Sequence, residues 1–101
     1  MRNRLTLQAY LEDILGSRNV YFQAPTSGKM HYPAIVYRLS NINNTYADDG
    51  VYASKKQYEI TVIDKDPDSV IYDKVNNIQS ARFERSYVAD NLNHWVFAIT
   101  Y

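Results

Sequence analysis

The run Gln57-Tyr58-Glu59-Ile60-Thr61-Val62-Ile63-Asp64 passes straight into Lys65-Asp66-Pro67-Asp68-Ser69, and this junction decides the fold. Tyr58, Ile60 and Val62 share one face of a period-two segment and Glu59 and Thr61 the other, which is the pattern of a strand with one packed and one wetter face. Asp66 is placed to accept hydrogen bonds from the free amides of a following helix. Pro67 suits a first helical position, where no donor is required, and Asp68 favours the positive end of the dipole. Ile71, Val75 and Ile78 then recur at helical spacing, with Val70 widening the stripe. A central strand feeding a capped amphipathic helix is therefore expected.

Towards the N-terminus, Thr6 is expected to cap a helix over 7–15 whose stripe is Leu7, Leu11 and Ile14, supported by Tyr10 and Leu15, with Gly16 as the stop. Residues 19–23 read as a short strand with Val20 and Phe22 on one face. The turn-rich segment 24–29 follows, so this strand belongs at a sheet edge. Pro33 opens the next strand, over 34–39, in which Ile35, Tyr37 and Leu39 share a face and Arg38 lies opposite. Residues 40–53, with Asn41-Ile42-Asn43-Asn44-Thr45-Tyr46-Ala47-Asp48-Asp49-Gly50-Val51-Tyr52, exceed what a hairpin needs and are dense in turn formers. They are expected to form a long loop, of the kind that serves a function or is ordered by a partner.

Beyond the second helix, Ala81, Phe83, Arg85 and Tyr87 alternate with Arg82, Glu84, Ser86 and Val88 in a further strand, and Asp90-Asn91-Leu92-Asn93 reads as a hairpin connection. In the last strand, over 94–101, Trp95, Phe97, Ile99 and Tyr101 face one way and Val96, Ala98 and Thr100 the other, so both faces are expected to be covered. The predicted order is α-β-β-β-α-β-β. With both helices on the same side of a mostly antiparallel sheet of four to five strands, this makes a two-layer α+β domain. The other sheet face keeps a mixture of Tyr, Arg, Glu and Thr, to be solvated or covered by another chain.

The chain has 101 residues, the size of a single domain spanning 1–101, and its 46% hydrophobic and 22% charged residues describe a globular protein. No apolar run approaches membrane-spanning length. The basic Met1-Arg2-Asn3-Arg4 precedes a segment interrupted by Gln8, Glu12 and Asp13, so no export leader is expected. The chain contains no cysteine, which excludes disulfides and thiolate metal sites. Its 11 basic and 11 acidic side chains balance, leaving no overall field to hold a polyanion. There are 10 tyrosines against 3 phenylalanines and 1 tryptophan, a bias that suits half-buried sheet surfaces and protein interfaces.

His31 and His94 have no triad or metal spacing around them and read as structural. Asp64, Asp66 and Asp68 read as a strand end and helix cap rather than a cation loop, because Pro67 interrupts them and no downstream glutamate completes the pattern. Catalysis, a cofactor and a metal are not expected. Tyr58, Phe83, Trp95 and Phe97 invite comparison with a base-stacking sheet, but the balanced charge and the lack of an RNP1-like run assign them to the core instead. A small nucleic-acid-binding α+β domain is the alternative reading from another functional class. Arg82, Glu84 and Arg85 form a charge cluster that is either a solvated face or a register-setting contact in an oligomer.

Tyr32-Pro33-Ala34-Ile35-Val36-Tyr37, the stretch Tyr58 to Asp68, and Asp90-Asn91-Leu92-Asn93-His94-Trp95, taken in this order, resemble the tail-terminator or tail-completion family of neck proteins from long-tailed bacteriophages. The likeness covers the chain from about Tyr32 onward, including the segment with Tyr46, Asp48 and Asp49. It implies a structural virion protein without catalytic residues, made in the host bacterial cytoplasm. Copies of the family form a ring, usually a hexamer, on the head-proximal end of the tail tube. The implied partners are other copies of the chain, the major tail tube protein and a head-completion or connector protein, with DNA passing through the lumen without sequence-specific binding. A connector role in the same neck is the nearest alternative. Tyr46, Asp48, Asp49 and Tyr52 are the candidate interface residues, joined by Arg82, Glu84 and Arg85 for subunit pairing.

Overall fold

The computed structural model describes residues 4–23, 31–47 and 50–100, with the backbone alone at 45–47 and 51–54. Its elements are α1 (Arg4–Leu15), β1 (Val20–Phe22), β2 (Ala34–Ala47), β3 (Gly50–Asp64), α2 (Ile71–Asn76), β4 (Arg82–Ala89) and β5 (Leu92–Thr100). The strands form one mixed sheet in the order β1-β2-β3-β5-β4. β1 is parallel to β2 and every other pairing is antiparallel. The predicted α+β class and element order hold, and β1 lies at an edge as its brevity and the following proline suggested.

β3 is central because its alternation meets matching alternation on both sides. The ladders align Val20, Ile35, Val62 and Trp95 in one row, then Phe22, Tyr37, Ile60 and Phe97 in the next. Leu39, Tyr58 and Ile99 make a third. Leu7, Leu11 and Leu15 of α1 and Ile71 and Val75 of α2 pack on these rows in a single core, with Ile14 and Ile78 at its margin. An isolated helix of this length is marginal in water, so α1 owes its stability to the buried stripe, each leucine contributing roughly 1.5–3 kcal/mol. Gly16 takes φ +80 and ends it. Thr6, the expected cap, instead lies inside the helix, which is already formed at Arg4.

A polar pin holds α1 to the first two strands. The Tyr37 side chain is fully buried and its hydroxyl donates to Gln8 Oε1 at 2.5 Å, while Gln8 Nε2 donates to the Val20 carbonyl at 2.9 Å and to Glu12 Oε2 at 3.0 Å. Arg4 lies over the Phe22 ring, 4.6 Å from its centroid, and reaches the Tyr37 hydroxyl at 3.5 Å.

The junction after β3 differs from expectation. Asp64 Oδ1 accepts the Asp66 amide at 3.1 Å and Asp66 Oδ1 accepts the Asp68 amide at 2.9 Å. These side chains therefore close successive Asx-type turns instead of capping a helix. The buried Ser69 accepts the Ile71 amide at 3.2 Å, and α2 spans only Ile71–Asn76. Val70, expected in the apolar stripe, is 63% exposed.

Asp90 and Asn91 both adopt left-handed backbone, φ 53 and 62, and make a two-residue hairpin turn, so β5 begins at Leu92 rather than at His94. Trp95, Phe97 and Ile99 are buried on the helix side of β5, whereas on the other face Val96 is buried and Ala98 and Thr100 are only partly so, and the expectation of two covered faces holds there for Val96 alone. Tyr101 and the turn-rich segment 24–29 lie outside the described residues.

The faces of β4 depart from simple alternation. Phe83 pairs with Phe97 and Arg85 with Val96, so Glu84 is the extra residue of a bulge and the faces exchange beyond it. Arg82 and Arg85 consequently share the open face, although alternation placed them on opposite ones. Arg85 and Phe83, expected together, are separated.

Burial raises the Tyr37 phenol above its ordinary range, against the opposing pull of Arg4. The unfolded chain loses this proton first, at about pH 10. The group's contribution is therefore complete below that pH and is lost as pH rises through the higher folded value. Tyr37→Phe is expected to cost about 1 kcal/mol at neutral pH by removing the donor to Gln8. It should also remove this residue's share of the alkaline loss of stability, and denaturant unfolding at neutral and alkaline pH measures both.

Candidate interaction surface

The five-stranded part of the sheet is short compared with its two longest strands. Among the described residues, β3 pairs with β5 over Gln57–Asp64 and β2 pairs with β1 over Ile35–Tyr37. Among these same residues, 41–47 and 50–56 pair with each other, as a two-stranded ribbon that continues beyond the core. The molecule measures 51 × 26 × 23 Å, and its radius of gyration of 14.8 Å exceeds the roughly 13 Å of a compact chain of this length.

The predicted loop over 40–53 is thus corrected to a hairpin ribbon, continuous with the sheet. A ladder irregularity between Leu39 and Asn41 marks where it leaves the core, and there the Ser40 hydroxyl donates to the Gln57 carbonyl at 3.0 Å. A second irregularity pairs Thr45 with Ala53 and Tyr46 with Val51, which leaves Tyr52 as the extra residue. Tyr46 and Tyr52 accordingly lie at register positions near the far end of the ribbon. Asp48 and Asp49 lie outside the described residues.

The ribbon's described side chains are exposed from Asn41 to Asn44 and at Lys55 and Lys56. Asn41 makes local bonds, with its Oδ1 accepting the Ile42 amide at 2.9 Å and its Nδ2 donating to Asn43 at 3.2 Å. Leu39 and Ile42 leave apolar surface open at the ribbon's base. Among the described residues no helix or third strand lies on the ribbon, and its described side chains lack the burial that makes a hairpin stable by itself.

The other candidates lie across the sheet. Every residue of β4 is exposed, and among the described residues its outer edge has no neighbouring strand. Arg82 makes no ion pair among the described residues, while Arg85 meets only the adjacent Glu84, at 3.7 Å. The charge cluster is thus solvated, and its contact runs along β4 rather than between strands. β5 lies between it and the strand pair that forms the ribbon, so the two groups of candidate residues form two surfaces and not one site.

The open face carries a forked ion pair in which Arg38 Nε and Nη2 lie 3.3 and 3.0 Å from the two Glu59 carboxylate oxygens. Arg38 is exposed, so the pair contributes under about 1 kcal/mol. His94 stacks on Tyr87 with ring centroids 4.6 Å apart, and its Nδ1 lies 3.0 Å from the Leu92 carbonyl. Among the described residues no three of His, Asp and Glu gather as metal ligands, and no helix is long and apolar enough to cross a membrane.

Phe83, which the sequence assigned to the core, is half-exposed on the β4 edge, and Tyr87 and Val88, not singled out as surface residues, are exposed beside it. Their strand-like alternation resembles that of a core strand, and only the sheet order reveals the missing neighbour. Neither a protein-family model nor a curated protein sequence matches the chain.

Amides of the ribbon should exchange with solvent at least about tenfold faster than those of Gln57–Asp64, because a ribbon paired only with itself opens without disrupting the core. Hydrogen exchange followed by NMR separates the two halves of β3 directly. Equal protection along its whole length would contradict this description of the ribbon.

Proposed function

We propose that the chain is a structural protein of the neck of a long-tailed bacteriophage, assembling as a ring that caps the head-proximal end of the tail tube. The observation that carries this reading is the ribbon of residues 41–56. It leaves the core, exposes the residues described along it, and has the reach to cross onto a neighbouring subunit. The sequence likeness from about Tyr32 onward supports the family and the ring in this reading.

Capping in this reading is steric. One face of the ring pairs with the last tube subunits, and the other lacks the surface that a further tube ring requires. That second face receives the head-completion or connector protein. DNA passes through the lumen, and the balanced charge of the chain suits a conduit that does not retain it. Synthesis takes place in the host bacterial cytoplasm and the finished protein resides in the virion.

Removing the gene from its phage should leave filled heads beside tails of irregular, overgrown length, as seen by electron microscopy. Tails of normal length that fail to join heads would instead assign the chain to the connector. Replacing residues 43–55 by an Asn-Gly turn, which joins the paired Ile42 and Lys56, should leave stability within about 1 kcal/mol of the parent, because the core is untouched. The same variant should fail to restore tail length. Full complementation by it would remove the ribbon from the mechanism.

A further inference from the structure

We infer that the free edge of β4 is a docking site for an extended segment of a partner protein in which apolar and acidic residues alternate. The inference concerns the sheet edge opposite the ribbon and does not depend on the capping role. A strand of eight residues with every side chain exposed and, among the described residues, no neighbouring strand on its outer side presents an edge of backbone donors and acceptors. Such edges accept a further strand through main-chain hydrogen bonds, while side-chain surfaces on either face select its sequence.

Both faces of this edge are differentiated. On the helix side, a cleft of about 220 Å³ opens between α2 and β4, with Phe97 and the half-exposed Phe83 among its walls and Asp73 and Asn76 at α2. A second cleft, of about 150 Å³, lies further along the same strand beside Ser86, Val88 and Trp95. Phe83 and Val88 are register partners of Phe97 and Asn93, so an added strand would bring side chains about four positions apart to the two clefts. Val88 is 68% exposed, and apolar side chains on the added strand would cover both it and Phe83.

On the opposite face the bulge at Glu84 gathers Arg82 and Arg85, whose partners Ala98 and Val96 are two positions apart on β5. Glu84 is their only acidic neighbour on β4, and it is the residue that the bulge displaces from the ladder. Two guanidinium groups at alternate positions of an edge match two carboxylates at alternate positions of an incoming strand, and each pair can form a forked contact. The segment recognised therefore carries acidic residues on the side facing the arginines and aliphatic or aromatic residues on the side facing the clefts.

The probe is a short amidated peptide with glutamate and leucine in alternation, titrated into the isotope-labelled full chain and followed by amide NMR shifts. Saturable shifts confined to β4 and its two clefts are expected. The same peptide with lysine in place of glutamate should bind about tenfold or more weakly. The R82E/R85E double variant, altered only at exposed positions, should keep the core resonances of the parent and reverse the preference between the two peptides. The inference fails if the shifts map to β1 or the ribbon instead of β4, if both peptides bind equally, or if no shift appears by about 1 mM peptide.

Discussion

The structure depends on one strand that finds apolar partners on both sides. Tyr58, Ile60 and Val62 alternate along β3, and the ladders to β2 and β5 set Leu39, Tyr37 and Ile35 against them on one side and Ile99, Phe97 and Trp95 on the other. A one-residue slip in either ladder would turn a whole row towards solvent, so burial fixes both registers at once. With the register fixed, α1 and α2 have one continuous floor to cover. The bonds among Tyr37, Gln8 and Val20 then fix the position of α1, because a buried phenol and amide must each find partners.

The same constraint explains where the sheet stops being a sheet. Row-by-row packing ends at Tyr58 and Ile99, where the helices have no further apolar stripe to offer. β2 and β3 nevertheless continue, held by backbone hydrogen bonds between themselves, and the ladder irregularity at Ser40 falls at this boundary. The division into a packed domain and an extended ribbon follows from a short core combined with long strands. At the opposite edge β4 pairs, among the described residues, with β5 alone, and its bulge sets Phe83 on the face away from Arg82 and Arg85.

Much of this was legible in the sequence because the core strands obey period two and α1 obeys the helical period. Leu7, Leu11, Tyr58, Ile60, Val62, Trp95 and Phe97 all read correctly as buried. The ribbon was not legible. Its sequence Asn41-Ile42-Asn43-Asn44 is rich in residues that favour turns, and these four exposed side chains are under no pressure to alternate. The Glu84 bulge was also hidden, since one inserted residue leaves local composition unchanged while it exchanges every face beyond it. Asp66 misled for another reason: a carboxylate two residues before a free amide serves an Asx turn as well as a helix cap, and Pro67 is compatible with either. Tyr46 and Tyr52 were chosen as candidates because two tyrosines fall in one long turn-rich segment, whereas Phe83 and Val88 needed the strand order to be recognised as surface.

The ribbon has a mechanical consequence. A beam anchored at one end and two strands wide bends and twists far more readily than the plate from which it grows, so a lone subunit fixes the direction of its described ribbon residues less firmly than that of its core. Any contact that clamps the tip fixes that direction and converts a compliant lever into a rigid strut. The spacing between bodies joined in this way would then belong to the joined structure rather than to any single copy.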